Sequence, residues 1–527
     1  MLVDGRALAD GTRLEADACI VGAGPAGLAV ALELERAGAS VVVLAGLAEP
    51  AGGEVVGESY PPLAETRAGG IGGTAALWNA ELAPGSLGAR YAPLSTIDFD
   101  EWPFGLDTLA PFYARAHELC DAGPYDYDAA VAPFAGDGLA SGVFRFGSAE
   151  AFTRTHRDRV AHSDSVRVVT AAAATHIHTD DDGSSVEDVE AASAPGRSFR
   201  IGAHAYVLAA GGIENPRLLL VSGIGDEELV GRCFMDHPTI RCRLELAPRS
   251  RLDLGFYDTR TVSDRLVLGR LELPEQTVRD EGLLSGAFFV VPARDRELRA
   301  AAAAKALVHA ARERHVPQQP VRRAAEVVAG LDALGFVAHR RLAQAVPSLE
   351  PTLRLWRRSA LLDTLGVGPV SGWSARRARP RAFDLHHVIE QAPDPERRVT
   401  LGSARDRFGS PVARLHWFVG ARELESAKRA QELLADELAR RRVGRLLASE
   451  GDGAAVHPSA HHHLGTTRMH RDPRHGVVDP DGRVHGVSNL FVAGGSVFPT
   501  SGFANPTLTI VALALRLGAH LSQDVSK

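Results

Sequence analysis

Three adjacent histidines, His461-His462-His463, stand just before Gly465-Thr466, and a lone amide, Asn505, precedes Pro506-Thr507 and an apolar stretch. A histidine near its ordinary pKa takes up a proton and returns it at neutral pH. An amide can donate a hydrogen bond to a developing alkoxide. Histidine runs also suggest a metal, but zinc ligands come as spaced pairs with further Cys, Asp or Glu. No such spacing follows here, so no metal is expected. In an extended segment His461 and His463 face one way and His462 the other, so one imidazole is expected to reach a site. Asn505 also suits the ordinary role of a helix N-cap.

The second piece of chemistry lies at the other end of the chain. Asp17-Ala18-Cys19-Ile20-Val21 reads as a buried strand running into Gly22-Ala23-Gly24-Pro25-Ala26-Gly27, a G-x-G-x-x-G loop. A helix over Leu28–Leu34, ended by Gly38, and a strand Val41–Leu44 complete a βαβ unit. In that context Gly22 permits the tight turn, Gly24 lets backbone approach a pyrophosphate, and Gly27 lets the helix pack on the strand. The helix N-terminus adds free N–H groups and partial positive charge. The acid that should end the second strand is replaced by Ala45, with Glu49 a few residues late, so the ribose partner is open.

Further glycine-rich backbone recurs along the chain. Gly72, Gly73 and Thr74, with Trp78 and Asn79 following, suit close passage of a planar cofactor. Ala205–Leu208 reads as a strand ending at Ala210 and Gly211, and Asn215-Pro216-Arg217 as a helix start with Pro in its first turn. Asn489–Ala493 reads as a strand entering Gly494-Gly495, and Leu508–Leu517 as a helix.

These ends must be brought together by a sizeable fold. At 527 residues the chain is expected to form two or more domains. Fifty-eight basic against 65 acidic residues give a net charge of −7, which leaves no basic excess for nucleic acid. Four scattered cysteines are no disulfide framework and point to a reducing compartment. Met1 to Asp17 lacks the apolar core of a signal peptide, and no run is long enough to span a membrane. A cytoplasmic protein is expected. From Thr239 onward the pattern alternates. Strands are expected at Thr239–Leu246, Arg265–Leu268, Ala287–Val291, Phe383–Glu390, Arg398–Leu401 and Ala413–Trp417, forming one antiparallel sheet. Residues 294–345 read as helical, the basic residues from 354 to 381 as a solvated surface, and Glu423–Leu447 as a long amphipathic helix.

Taken together, these segments resemble the glucose–methanol–choline (GMC) family of flavin oxidoreductases. Trp102-Pro103, Pro111-Phe112-Tyr113 and Glu390-Gln391-Ala392-Pro393-Asp394-Pro395 add to the likeness. The resemblance implies an α/β fold. A Rossmann-like FAD-binding domain (1–240 plus 450–527) would carry an inserted α+β substrate domain (241–449) built on an antiparallel sheet. It implies FAD as cofactor, non-covalent because Leu77 falls where some members carry a flavin-linking histidine. In that family a histidine takes the hydroxyl proton while hydride passes from carbon to flavin N5. The family's H-x-x-G-T registers on His462, and the partner position on Asn505. The Asn505-Pro506-Thr507 segment is similar to the sugar-oxidising branch, which includes pyranose oxidases. Gly494 stands where many members have Asp, a change that branch tolerates.

The resemblance thus implies oxidation of a hydroxyl of a sugar or a glycosylated or aminosugar natural product. Gln391 and His387 are further candidates for the pocket lining. A steroid, terpene or choline-like alcohol, a non-redox FAD lyase, and a metal-dependent hydrolase on the histidine run are the rival readings. Oxygen, a quinone or a protein would re-oxidise the flavin, and a homo-oligomer is compatible with the sequence.

Overall fold

The computed structural model describes residues 1–527 apart from 50–51, 59, 79–88, 129–131, 135, 137, 149, 249, 251–253, 264, 293–302, 304–305, 308–318, 330–381, 449–460 and 526–527. Asn79, the basic stretch 354–381 and most of 294–345 lie outside the described residues.

The first sheet is built on β2 (Arg13–Val21) and β3 (Val41–Leu44), parallel with Ala18 opposite Val41 and Val21 opposite Leu44. Both strands end in continuous buried runs, as strands covered on two faces do. Beyond β3 lie β7 (Val166–Thr170) and β1 (Leu2–Asp4), and beyond β2 lie β10 (Arg197–Leu208), β9 (Val186–Ala194) and β8 (Ala173–Thr179). The C-terminal strand β19 (Leu490–Val492) pairs parallel with β10, Tyr206 opposite Leu490. That pairing brings the two chemistry-bearing ends side by side. Helix α1 (Pro25–Arg36) packs against the C-terminal helix α5 (Thr507–Val525). Gly518 permits the approach, since a Cβ there would sit 2.7 Å from the Glu33 Cβ. Helix α2 (Leu106–Leu119) braces α5 from the other side, with the Tyr113 hydroxyl 3.0 Å from that of Thr509.

The second sheet is antiparallel, as expected. Its order is β18 (Gly444–Ala448), β11 (Thr239–Leu246), β15 (Ala382–Ile389), β14 (Gly286–Pro292), β13 (Arg265–Glu272), β6 (Ala140–Phe146) and β5 (Arg90–Tyr91), with β12 (Thr259–Val262) on β13. Strands β5 and β6 come from within 1–240, so the sheets cross the domain line drawn from the sequence.

Three expectations are corrected. Arg398–Leu401 and Ala413–Trp417 do not join this sheet. They form β16 (Arg398–Arg405) and β17 (Pro411–Trp417), and β17 pairs parallel with β4 (Gly53–Gly57). Val399, Leu415 and Trp417 close a separate small core with Tyr60, Leu63, Ile213 and Phe234, which holds them there. The helix expected over 423–447 is α4 (Ala421–Arg440), and Arg442 turns the chain at φ 55°. Residues 444–448 then pair with β11, Leu446 opposite Leu244, and the half-buried Leu446 packs against the core that holds Leu244.

Helix α3 (Gly211–Ser222) starts earlier than expected, which puts Pro216 inside it. Proline has no N–H for the carbonyl four residues back. That carbonyl, on Gly212, instead accepts a hydrogen bond from the Thr466 hydroxyl at 2.7 Å. The H-x-x-G-T segment is thereby anchored on the nucleotide domain. Among the described residues, no helix is long and apolar enough to cross a membrane.

Candidate active site

The glycine loop behaves as its spacing requires. A Cβ at Gly22 would meet the Ala209 carbonyl oxygen at 2.4 Å, and one at Gly27 would meet the Gly22 oxygen at 1.9 Å. Those glycines serve packing within the fold. Gly24 differs: a Cβ there would touch only the Gly73 Cα, at 4.0 Å, and otherwise stand in open space. Gly24 is the N-cap of α1, Pro25 opens the helix, and no side chain caps its free N–H groups. Such an end suits a pyrophosphate.

This space belongs to a cavity of about 1000 Å³, at the upper end of small-molecule sites. Its walls include Gly22, Gly24, Pro25, Ala26, Gly73, Thr74, Trp78, Ala210, Gly211, Gly494, Gly495, Asn505, Pro506 and Thr507. Gly27 and Gly72 support the wall from behind. Gly72 takes a left-handed φ of 94° to start the turn Gly73–Leu77. Ala45 borders the cavity at the end of β3, and so does Glu49. Residues 404–408, the end of β16 and the start of its turn toward β17, border it too.

His462 and Asn505 line this same cavity. Among the described residues the Asn505 side chain makes no hydrogen bond to protein, so it does not cap α5, and its amide is free. All three histidines border the cavity. The expected alternation fails because His461 takes a left-handed backbone at φ 62°. His463 packs between Tyr60 and Phe234, with ring centroids 6.3 and 5.8 Å away.

The partner of His462 was not singled out from the sequence. It is His237, whose Nδ1 lies 2.8 Å from the His462 Nδ1. His237 Nε2 lies 3.4 Å from the Ser501 carbonyl oxygen, which only accepts. His237 therefore carries its proton on Nε2, accepts at Nδ1, and receives the His462 Nδ1–H. That leaves His462 Nε2 unprotonated. Asp236 clamps the pair. Its Oδ1 accepts from the backbone N–H of His237 (2.7 Å) and of His462 (3.0 Å), and its Oδ2 accepts from the Tyr60 hydroxyl (2.7 Å). Removal from bulk water pushes His462 well below the ordinary histidine value, and the adjacent His237 pushes the same way. His462 is thus neutral at physiological pH, as a base must be.

An ionic chain on the wall was also missed. Arg67 pairs with Glu214, Glu214 with Arg217 (2.9 Å), and Arg217 with Asp406 (2.6 Å). Burial raises the Glu214 pKa, but the two guanidiniums outweigh it and hold the group below the usual range.

His387 and Gln391 are not among the lining residues. His387 stacks on Phe288 (4.0 Å between centroids, 13°) in the second core, and burial lowers its pKa to about 3. Gln391 is a buried strut. Its Oε1 accepts from the Asp236 backbone N–H at 3.0 Å, and its Nε2 donates to the Phe418 carbonyl at 3.0 Å. It therefore acts through Asp236. Among the described residues, no group of three or more His, Cys, Asp or Glu is arranged to hold a metal ion.

Fold and site together define a dinucleotide-binding protein with a neutral histidine in the cavity that its nucleotide loop borders. Comparison with known proteins agrees. Residues 15–52 match an FAD binding domain, and residues 144–239 and 393–514 match GMC oxidoreductase. The chain belongs to the GMC oxidoreductase family, and FAD is its cofactor. It is similar to the 6'''-hydroxyparomomycin C oxidase of Streptomyces lividus, 35% identical over 144 residues, which cover 27% of this chain and 26% of that one. It is also similar to the C-glycoside 3-oxidase of Arthrobacter globiformis, 34% identical over 139 residues, 25% of each chain. The matched segments thus span about a quarter of these relatives' length. A crystal structure of pyridoxine 4-oxidase from Mesorbium loti shares the fold, with TM-score 0.54, 18% identity and coverage of 96% and 98%.

Proposed function

We propose that this protein is an FAD-dependent oxidoreductase that oxidises one hydroxyl of a sugar, or of a glycosylated or aminosugar natural product, to a carbonyl. The observation that carries the reading is the His462–His237 hydrogen bond on the wall of the dinucleotide cavity. It leaves one histidine nitrogen unprotonated and free to take the substrate's hydroxyl proton. Asn505 donates its amide N–H to the substrate oxygen and stabilises the alkoxide that forms as the proton leaves. Bound FAD supplies the hydride acceptor, held by the Gly22–Gly27 loop and the backbone at Gly73, Ala210–Gly211 and Gly494–Gly495. The likeness to two glycoside-oxidising enzymes supports the sugar class. Sites 1–240 plus 450–527 and 241–449 serve as the flavin and substrate portions, with β5 and β6 lent to the second, and the protein works in the cytoplasm.

Anaerobic mixing of the purified holoenzyme with a panel of sugars and glycosides tests this. A substrate bleaches the flavin absorbance. His462→Ala is expected to retain FAD and lose this reduction. Bleaching of that variant at an undiminished rate would remove His462 from the role, and failure of every sugar would remove the substrate class.

A further inference from the structure

Arg90 opens β5 and lies opposite Phe146 at the edge of the second sheet. It borders the same cavity as His462 and Asn505. Its guanidinium carbon stands 5.1 Å from the centroid of the Phe289 ring, which in turn stacks on Phe144 at 5.4 Å and 22°. Arg90 is half-buried, whereas Arg67, Arg145, Arg217 and Arg397 are buried and each is ion-paired to a carboxylate. The Arg90 side chain has no hydrogen bond or ion pair to the described residues.

That arrangement is costly by itself. A guanidinium carries five N–H donors, and a phenyl ring satisfies its face without replacing the carboxylate or water those donors require. Among the described residues no acid acts on the Arg90 guanidinium, whose pKa is lowered by burial. Its field also reaches His462, where it disfavours a second positive charge. A cation with no ionic partner among the described residues, held on an aromatic platform in a cavity wall, is a prepared site for an anion. Its place on the second sheet, away from the glycine loop, sets it on the substrate side.

We propose that Arg90 binds a carboxylate on the substrate, so that the oxidised alcohol belongs to an acidic sugar of the uronic or aldonic acid type. This rests on the sugar-oxidation reading and narrows it. The guanidinium fork matches a planar carboxylate by two parallel hydrogen bonds. The same charge repels an ammonium group, so an amino group on that side of the sugar is disfavoured.

Two measurements on the FAD-loaded protein test the assignment. The first titrates D-glucuronate and D-gluconate against the flavin spectrum and compares D-glucose, a chemical pair differing in the acid. Wild-type protein is expected to bind an acid at least tenfold more tightly than glucose. Arg90→Gln should bring the ratio close to one, and Arg90→Lys should keep part of it. The second measures the flavin reduction potential in the same variants. Equal binding of acid and neutral sugar by the wild type overturns the proposal. So does an unchanged ratio in Arg90→Gln, and a shifted potential with an unchanged ratio assigns Arg90 to the reduced flavin instead. Acid binding that is lost in Arg90→Gln, without bleaching by any sugar, upholds the anion site and defeats the oxidation reading. Retained FAD in both variants shows that the fold survives.

Discussion

The His237–His462 pair carries a prediction that can be sized from its geometry. Replacing His237 by Phe keeps an aromatic ring but removes the nitrogen 2.8 Å from the His462 Nδ1. His462 then faces a choice. It can leave its Nδ1–H without an acceptor, which for a buried donor costs about 1–3 kcal/mol. Or it can move the proton to Nε2 and lose the lone pair that accepts from substrate. Either way the reactive tautomer lies higher by that amount, and the reductive half-reaction should slow by roughly 5- to 150-fold. His237→Gln restores an acceptor oxygen and should recover much of the rate. His237 also lowers the His462 pKa, second to burial. Its removal should raise that pKa and move the acid limb of the rate profile toward neutral pH. Stopped-flow flavin reduction from pH 5 to 8 measures both effects. If His237→Phe retains FAD and reduces at the wild-type rate with the same pH profile, the tautomer argument is wrong. If Phe and Gln lose rate equally, the role of His237 is packing.

Two further outcomes concern stability. Burial, with Asp98 beside it, raises the Glu390 carboxyl to about 7, and Glu390 accepts from Ser285 and from the Gly502 N–H. The folded state therefore keeps this proton where the unfolded chain has lost it. The contribution is fully present below the unfolded value near 4.5 and is lost as pH rises to about 7, on the order of 3 kcal/mol. Glu390→Gln should flatten urea midpoints measured between pH 4.5 and 7.5, and a wild-type slope in that variant would contradict this. Thr466→Val removes the hydroxyl that donates to the Gly212 carbonyl left open by Pro216, and should cost about 1–3 kcal/mol in urea unfolding. A change below a few tenths would show that another group satisfies that carbonyl.

Much of the site was legible in the chain because its constraints are local. Gly22, Gly24 and Gly27 lie within six residues, and their turn, close approach and helix packing follow from the missing Cβ. His462 and Asn505 were readable for the same reason, each set in a short motif beside a helix or turn. The errors arose where period alone had to choose. The leucines at 446 and 447 suit a helix face or a strand equally, and pairing with β11 decided. His387 alternates properly in β15, but alternation does not say which face of the sheet meets the cavity, and Phe288 claimed it.

What tertiary structure alone decided is the chemistry between distant residues. His237 precedes His462 by 225 positions, and nothing in either motif names the other. Arg67, Glu214, Arg217 and Asp406 are likewise ordinary charges until the folded wall lines them up. The sequence by itself determined a dinucleotide loop, and set a histidine and an amide in short motifs, since these depend on neighbours along the chain. The tautomer of that histidine, and which charges are paired at the cavity, depend on which sheets come to share that wall, and only packing sets that.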